Sequence, residues 1–180
     1  MLLNKHGSFY IRNGWPTKIM NAISTYHLIF SPNNELDAVD TIGVGRVMVK
    51  AMRYWAVAMG LASEEKTQQG VVCNLTELGN IISTHDSFCQ DKGSLWLLHR
   101  NLATNEEQAT AWYWAFNVYN SKSFSKDDFC SAFYSYIQRA GGSYQKPAVD
   151  KEFDCFKKFI VLHFFQSVPF NQKLKSSSLI

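Results

Sequence analysis

Three basic side chains recur at helical spacing in one stretch of the sequence, IGVGRVMVKAMRYWAVAMGL. They are Arg46, Lys50 and Arg53, and no acidic residue lies among them. Residues three or four apart share one face of an α-helix, so these cations would lie side by side. Cations on one helix face suit contacts with the phosphates or base edges of DNA. The same spacing also fits a core helix whose cations are merely solvated.

Another side of that helix is apolar, which predicts that it packs against a core. Its members are Val44, Val47, Met48, Ala51, Trp55, Ala58 and Met59. Before it, the sequence predicts a helix over about residues 16–26, a break at Ser31-Pro32 and a short helix ending near Thr41. A Gly-Val-Gly turn follows, since glycine tolerates the positive φ angle that redirects a chain. The basic helix would then be the second helix of a helix-turn-helix, which enters a DNA major groove.

The residues after the basic helix form a pattern typical of a wing. Residues 63–70 are polar, residues 71–75 can form a short strand, and Thr76 can cap the next helix. Three helices, a hairpin and a following helix predict a winged helix-turn-helix, whose wing lies against the DNA backbone or minor groove. The candidate contacts on the wing are Lys66, Thr67, Gln68 and Gln69. Each of these residues, taken singly, also fits a solvated surface loop.

The second half of the chain predicts a helical bundle with an aromatic core, so the fold class is mainly α. Residues 84–92 form a connector, which divides the chain into a winged helix-turn-helix domain at 1–84 and a helical domain at 85–180. Helices are expected to begin at Ser94, at Thr104 with Glu107 in a capping box, at Ser125 with Asp128, and near Ala148, the last running to about Phe165. The aromatic residues recur at helical spacing. They could also stack on bases, although such rows are usually core.

A search for catalytic chemistry leaves the catalytic residues unassigned. No phosphate-binding loop, dinucleotide motif, zinc-protease motif or nucleophile elbow occurs. His85-Asp86, with Asp91 nearby, could contribute to a metal site, but the pair also fits an ordinary turn. Asp150-Lys151-Glu152 is similar to the carboxylate and lysine sets of metal-dependent nucleases, yet it falls at a helix start, where acidic residues are expected. We therefore predict no metal site and no cofactor.

The composition is that of a globular protein, and we expect it in the cytoplasm. Of 180 residues, 46% are hydrophobic and 14% aromatic, which is enough to build a core. The four cysteines form no CxxC pair, the N-terminus lacks the apolar run of a secretory signal, and no uncharged apolar run approaches the length of a membrane span, so reduced thiols are expected. The net charge of +3 is mild. The surplus of positive charge lies in the first 62 residues, which include the basic helix.

Five segments, in this order, resemble a bacterial protein family. They are Gly14-Trp15, IGVGRVMVKAMRYW from residue 42, NLTELG from residue 74, GSLWLLHRNLATN from residue 93 and ATAWYWAFN from residue 109. The family is the SspB-like family of DNA phosphorothioation systems, known as a domain of unknown function, number 4007. It includes the DNA-nicking B component of the Ssp-type system. The resemblance covers about residues 6–165, and no single segment would establish it.

The resemblance implies a DNA-binding component of a phosphorothioation modification or defence system. Matched by position, the family-like turn and helix are Gly43, Val44, Gly45, Arg46, Met48, Val49, Arg53, Tyr54 and Trp55. With the spacing arguments, the expected contacts with duplex DNA are Arg46, Val49, Lys50, Arg53, Tyr54, Lys66, Gln68 and Gln69. The alternatives are a metal-dependent DNA nicking subunit and an interaction subunit that docks on partner proteins of the same operon. A homodimer that binds two half-sites of DNA is a further alternative, and no membrane contact is expected.

Overall fold

The described part of the chain is mainly helical, as the sequence predicts, and contains one small antiparallel sheet. The computed structural model describes residues 3–121 and 123–160 of the 180-residue chain. The described residues form two compact units, one at Lys5–Leu102 and one combining residues 3–4 with the residues from Ala103 onward. The division between residues 84 and 85 stays a prediction from the sequence. Within the described ranges, no helix is long and apolar enough to cross a membrane.

The first unit consists of short helices and one hairpin. Its elements are α1 (Trp15–Thr25), α2 (Glu35–Ile42), α3 (Arg46–Ala58), β1 (Ala62–Thr67), β2 (Gly70–Leu75), α4 (Glu77–His85) and α5 (Lys92–Thr104), whose last two residues belong to the second unit. Pro16 suits the first turn of α1, because its missing N–H would have no helical partner there. Ile19 of α1 and Met52 and Trp55 of α3 are fully buried. The packing of α1 on α3 therefore forms the centre of this unit.

The hairpin of β1 and β2 has a two-residue tip. Thr67 pairs with Gly70, so Gln68 and Gln69 form the tip. Gly70 has a φ of 130°, which residues with a side chain rarely adopt. The strand predicted for residues 71–75 is confirmed within β2.

The loop between α1 and α2 pairs with β2 and attaches the hairpin to the helices. The Cys73 N–H donates to the His27 carbonyl oxygen over 2.7 Å. The Nδ1 atom of His27 lies 3.2 Å from the Cys73 carbonyl oxygen. Farther along β2, the Val71 N–H donates to the buried hydroxyl oxygen of Ser31 over 3.3 Å. These bonds hold β2 against the residues that precede α2.

The start of α4 is fixed by its capping residue, as predicted. The Thr76 hydroxyl accepts from the Gly79 N–H over 3.0 Å and donates to the Gly60 carbonyl oxygen over 2.6 Å. A Cβ atom on Gly79 would overlap the carbonyl oxygen of Leu61. The first turn of α4 therefore lies directly against the backbone that follows α3.

The described part of the second unit, up to residue 160, contains three further helices. They are α6 (Thr110–Asn117), α7 (Lys126–Arg139) and α8 (Lys146–Phe159). The helix start predicted at Ser125 with Asp128 is confirmed, and the two residues form a capping box at the start of α7. The helix start expected at Thr104 is wrong: Thr104 ends α5, and the Asn105 side chain accepts the Gln108 N–H in the turn before α6. The part of the last helix expected beyond residue 160 lies outside the described residues.

Phe129 of α7 lies at the centre of an aromatic core in this unit. Its ring is fully buried and lies 5.0 Å from the Trp114 ring, 5.1 Å from Phe153 and 5.3 Å from Phe156. Trp112 is buried as well and meets Phe156 edge to face at 5.7 Å. The expected aromatic core is therefore present, and these buried rings pack on one another instead of facing solvent.

Candidate nucleic-acid interface

A glycine turn sets the start of α3 after α2. Gly43 has a φ of 70°, and its N–H donates to the Val39 carbonyl oxygen, which ends α2. The Lys18 ammonium donates to the Ile42 carbonyl oxygen over 2.8 Å, so a side chain of α1 also binds the end of α2. The turn predicted at residues 43–45 is confirmed, and it leaves α3 beginning at the solvent side.

The three basic residues of α3 have different surroundings. Arg46 lies in the first turn and is exposed. The Lys50 side chain is 71% exposed, and its Nζ lies 2.9 Å from Oε1 of Glu35 on α2. The Arg53 side chain is 28% exposed and binds Glu64 on β1, with Nε donating to Oε1 over 2.5 Å and Nη2 to Oε2 over 2.8 Å. Two of the three cations therefore have a carboxylate partner within the unit.

The two carboxylates were not among the residues expected from the sequence. Each belongs to another element than its partner, so helical spacing gives no signal for either pair. The hydrogen bond from Lys50 holds the pKa of Glu35 below its ordinary value, and the positive charge of Arg46 adds to this effect. The hydrogen bond to Glu64 raises the pKa of Arg53 above its ordinary value. The two carboxylates therefore partly neutralise the basic face.

Val49 and Tyr54 lie where their side chains pack within the unit. Val49 is only 4% exposed, so it belongs to the core and we remove it from the expected DNA contacts. The half-buried Tyr54 ring lies 5.9 Å from the His6 ring and 5.0 Å from Trp55. The packed face of α3 is rotated from the expected one, since Val47 is 55% exposed. The buried residues of α3 are Val49, Ala51, Met52, Trp55, Ala56 and Ala58.

The hairpin presents the other expected contacts to solvent. Lys66, Gln68 and Gln69 are all exposed. Side chains alternate between the faces of a strand, so Lys66 shares a face with Glu64, and Glu65 belongs to the opposite face. Because Glu64 binds α3, Lys66 lies on the helix-facing side of the hairpin. Gln68 and Gln69 lie at its tip.

An open pocket of about 100 Å³ lies beside two of the basic residues. Its lining residues are Ile29, Phe30, Ser31, Pro32, Glu35, Val49, Lys50 and Arg53. Apolar side chains form most of this lining, and the ion pair of Lys50 with Glu35 forms part of the wall. The pair can therefore be reached from solvent through the pocket.

The described residues do not assemble a metal-binding cluster. No group of three His, Cys, Asp or Glu side chains suited to a metal ion occurs within residues 3–121 and 123–160. The Asp86 carboxylate accepts hydrogen bonds from the N–H groups of Gln90 and Asp91. His85-Asp86 therefore fits an ordinary turn, the second of the two interpretations of this pair. On α8, the Asp154 carboxylate binds the Lys126 ammonium at 2.8 Å.

The fold and the site define a mainly helical protein with a hairpin beside a helix that bears basic side chains. The chain belongs to the family described as Protein of unknown function (DUF4007), whose model matches residues 3–176. A solved structure described as "Magnesium ion-bound SspB crystal structure" aligns with a TM-score of 0.76 and 26% identity, covering 87% of this chain and 48% of that one. A second, "SspB crystal structure", aligns with a TM-score of 0.71 and 24% identity, covering 93% and 53%.

These similarities confirm the family resemblance seen in the sequence. The chain spans about half the length of the two SspB chains. No curated protein matches this chain.

Proposed function

We propose that the first unit binds duplex DNA as a winged helix-turn-helix. The observation that carries this proposal is the order of pairing: His27, between α1 and α2, pairs with β2, and β1 follows α3 directly. In a winged helix-turn-helix, α2 and α3 would be the helix pair and the hairpin would be the wing. A fold does not determine a function by itself, so the proposal also depends on the exposed basic side chains of α3 and the hairpin.

The proposed contacts lie on the solvent side of α3 and on the hairpin. Arg46 and Lys50 would contact phosphates or base edges in the major groove. Lys66, Gln68 and Gln69 would add backbone contacts from the wing.

Two of the residues expected to contact DNA have a structural role in this proposal. Arg53 binds Glu64 and thereby holds the wing against α3. Tyr54 packs against His6 and supports the helix from its inner side.

The proposed biological setting is a DNA phosphorothioation modification or defence system, in line with the resemblance to SspB-like proteins. A metal-dependent DNA nicking subunit is the alternative, and the magnesium bound to one SspB structure favours it. Magnesium prefers carboxylate and other oxygen ligands. The described part of this chain does not bring such groups together in a cluster, so we assign no step to a metal. We also propose that the chain binds a partner protein of the same system or a second copy of itself.

Fluorescence anisotropy of the purified chain with a labelled duplex, titrated at several salt concentrations, tests DNA binding. Affinity should fall as salt rises, because each neutralised phosphate releases counterions. Arg46→Ala and Lys66→Ala should each reduce the slope of log K against log salt by about 0.9. Lys92→Ala, which removes an exposed cation on α5, is the matched control and should leave the slope unchanged.

The outcomes separate the three functions. Absence of binding by the wild-type chain at low salt would refute DNA binding and favour the interaction subunit. Equal slopes for Arg46→Ala and Lys92→Ala would refute the proposed interface. Nicking of a supercoiled plasmid in Mg²⁺ by the purified chain would favour the endonuclease.

A further inference from the structure

The ion pair of Lys50 with Glu35 lies on the face proposed to bind DNA. The two side chains are 71% and 25% exposed, and their Nζ and Oε1 atoms are 2.9 Å apart. The open pocket of about 100 Å³ borders both residues, so an anion from solvent can reach the ammonium group. The Lys50 ammonium is the exposed partner and meets Glu35 through a single contact, which water screens on the lysine side, although Oε1 of Glu35 is itself buried. A phosphate oxygen can therefore replace the carboxylate.

The second ion pair of the same helix is built differently. Arg53 and Glu64 form two hydrogen bonds in a fixed bidentate geometry, and both side chains are less than 30% exposed. Bidentate pairs of arginine and carboxylate are stronger and more directional than a single ammonium contact. This pair stays intact during binding, and Lys50 with Glu35 is the exchangeable one.

We infer that Glu35 is a specificity-determining residue that competes with DNA phosphates for Lys50. This inference rests on the proposed DNA binding. When a phosphate takes Lys50, the Glu35 carboxylate remains beside the DNA without its partner and attracts a cation from solvent. Counterion release from the phosphate is then offset by cation uptake at Glu35. Lys50 therefore adds little affinity for a duplex of any sequence, and contacts with bases contribute a larger share of the total affinity.

The first turn of α2 supplies a matched control. Asp37 lies two residues after Glu35 in the same turn and is exposed. Replacing either carboxylate by its amide raises the net charge by one unit and keeps the shape of the side chain. Only the replacement of Glu35 also releases Lys50.

The experiment measures affinity and salt slope for a labelled random-sequence duplex. We compare the wild-type chain, Glu35→Gln and Asp37→Asn, each with Lys50 present and in a Lys50→Ala background. Glu35→Gln should bind about two- to fivefold more tightly, the range of an exposed ion pair. Its salt slope should be steeper by about 0.9, one additional phosphate contact. Asp37→Asn should leave the slope unchanged, and in the Lys50→Ala background the effect of Glu35→Gln on the slope should disappear.

Three results would overturn the inference, and they are distinguishable from one another. Equal slopes for Glu35→Gln and Asp37→Asn would mean that only net charge matters. A steeper slope for Glu35→Gln that persists without Lys50 would mean that Glu35 acts directly on DNA. Absence of binding by the wild-type chain and both amide variants would refute the proposed function itself. Thermal unfolding of each variant verifies that the chain is folded.

Discussion

Arg53 and Glu64 connect α3 to β1 through two parallel hydrogen bonds of 2.5 and 2.8 Å. The guanidinium belongs to the helix proposed to contact DNA, and the carboxylate belongs to the hairpin proposed as its wing. The same guanidinium lies beside the pocket that borders the pair of Lys50 and Glu35. A contact between two charged side chains therefore helps to hold the hairpin against α3.

Glu64→Ala should lower the free energy of unfolding by about 1 kcal/mol, a value at the upper end for solvent-accessible ion pairs, because Arg53 binds Glu64 through two hydrogen bonds. Glu65→Ala, on the opposite face of β1, is the control and should change it by less than about 0.5 kcal/mol. Urea denaturation monitored by circular dichroism measures both. Equal destabilisation by the two variants would show that the ion pair contributes nothing beyond strand propensity.

Gly79→Ala should destabilise the first unit, because the added Cβ atom would overlap the Leu61 carbonyl oxygen. Backbone atoms cannot move away cheaply, so we expect a loss of about 1–3 kcal/mol, typical of overpacking. Gly45→Ala is the control, since nothing lies within 4 Å of a Cβ atom there. Thermal unfolding should show a clear decrease in Tm for Gly79→Ala and a small change for Gly45→Ala. A Tm for Gly79→Ala close to that of the wild type would contradict the close approach.

Phe129→Ala should cost about 3–5 kcal/mol of stability, because it removes a fully buried ring from the aromatic core of the second unit. The near-ultraviolet circular dichroism signal, which reports on packed aromatic rings, should decrease with it. Tyr134→Ala lies on the same helix at a position that is 39% exposed and should cost far less. Similar losses for the two variants would argue against Phe129 as the centre of the core.

His99 should make stability fall as the pH is lowered from about 6.5 towards 4. Burial lowers the pKa of His99 from its ordinary value of 6.5 to about 4. Between these pH values the unfolded chain binds a proton that the folded chain does not, so acidification favours unfolding. The contribution of His99 is complete above pH 6.5, and its loss ends near pH 4. Urea denaturation at pH 7, 6 and 5 measures the trend, and an NMR titration of His99 with a midpoint near 6.5 would contradict its cause.

Local features of the sequence predicted most element boundaries of the first unit. The Gly-Val-Gly turn, the cap at Thr76 and the strand at residues 71–75 all depend on backbone preferences of a few adjacent residues, and the structure has each of them. The capping box of Ser125 with Asp128 is a local signal of the same kind. Thr104 shows the limit: its spacing to Glu107 also fits a capping box, but α5 extends through Thr104 and the next turn is closed by Asn105.

The sequence by itself thus determined the mainly helical class, the basic residues of α3 and the family resemblance. Tertiary structure decided which face of α3 is buried, because the packing of the first unit covers Val49 and leaves Val47 55% exposed. It also decided the partners of the cations. Glu35 and Glu64 lie on other elements, and whether they reach Lys50 and Arg53 depends on how α2 and β1 pack on α3. Local propensities depend on neighbours in sequence, but the charge of a surface depends on neighbours in space.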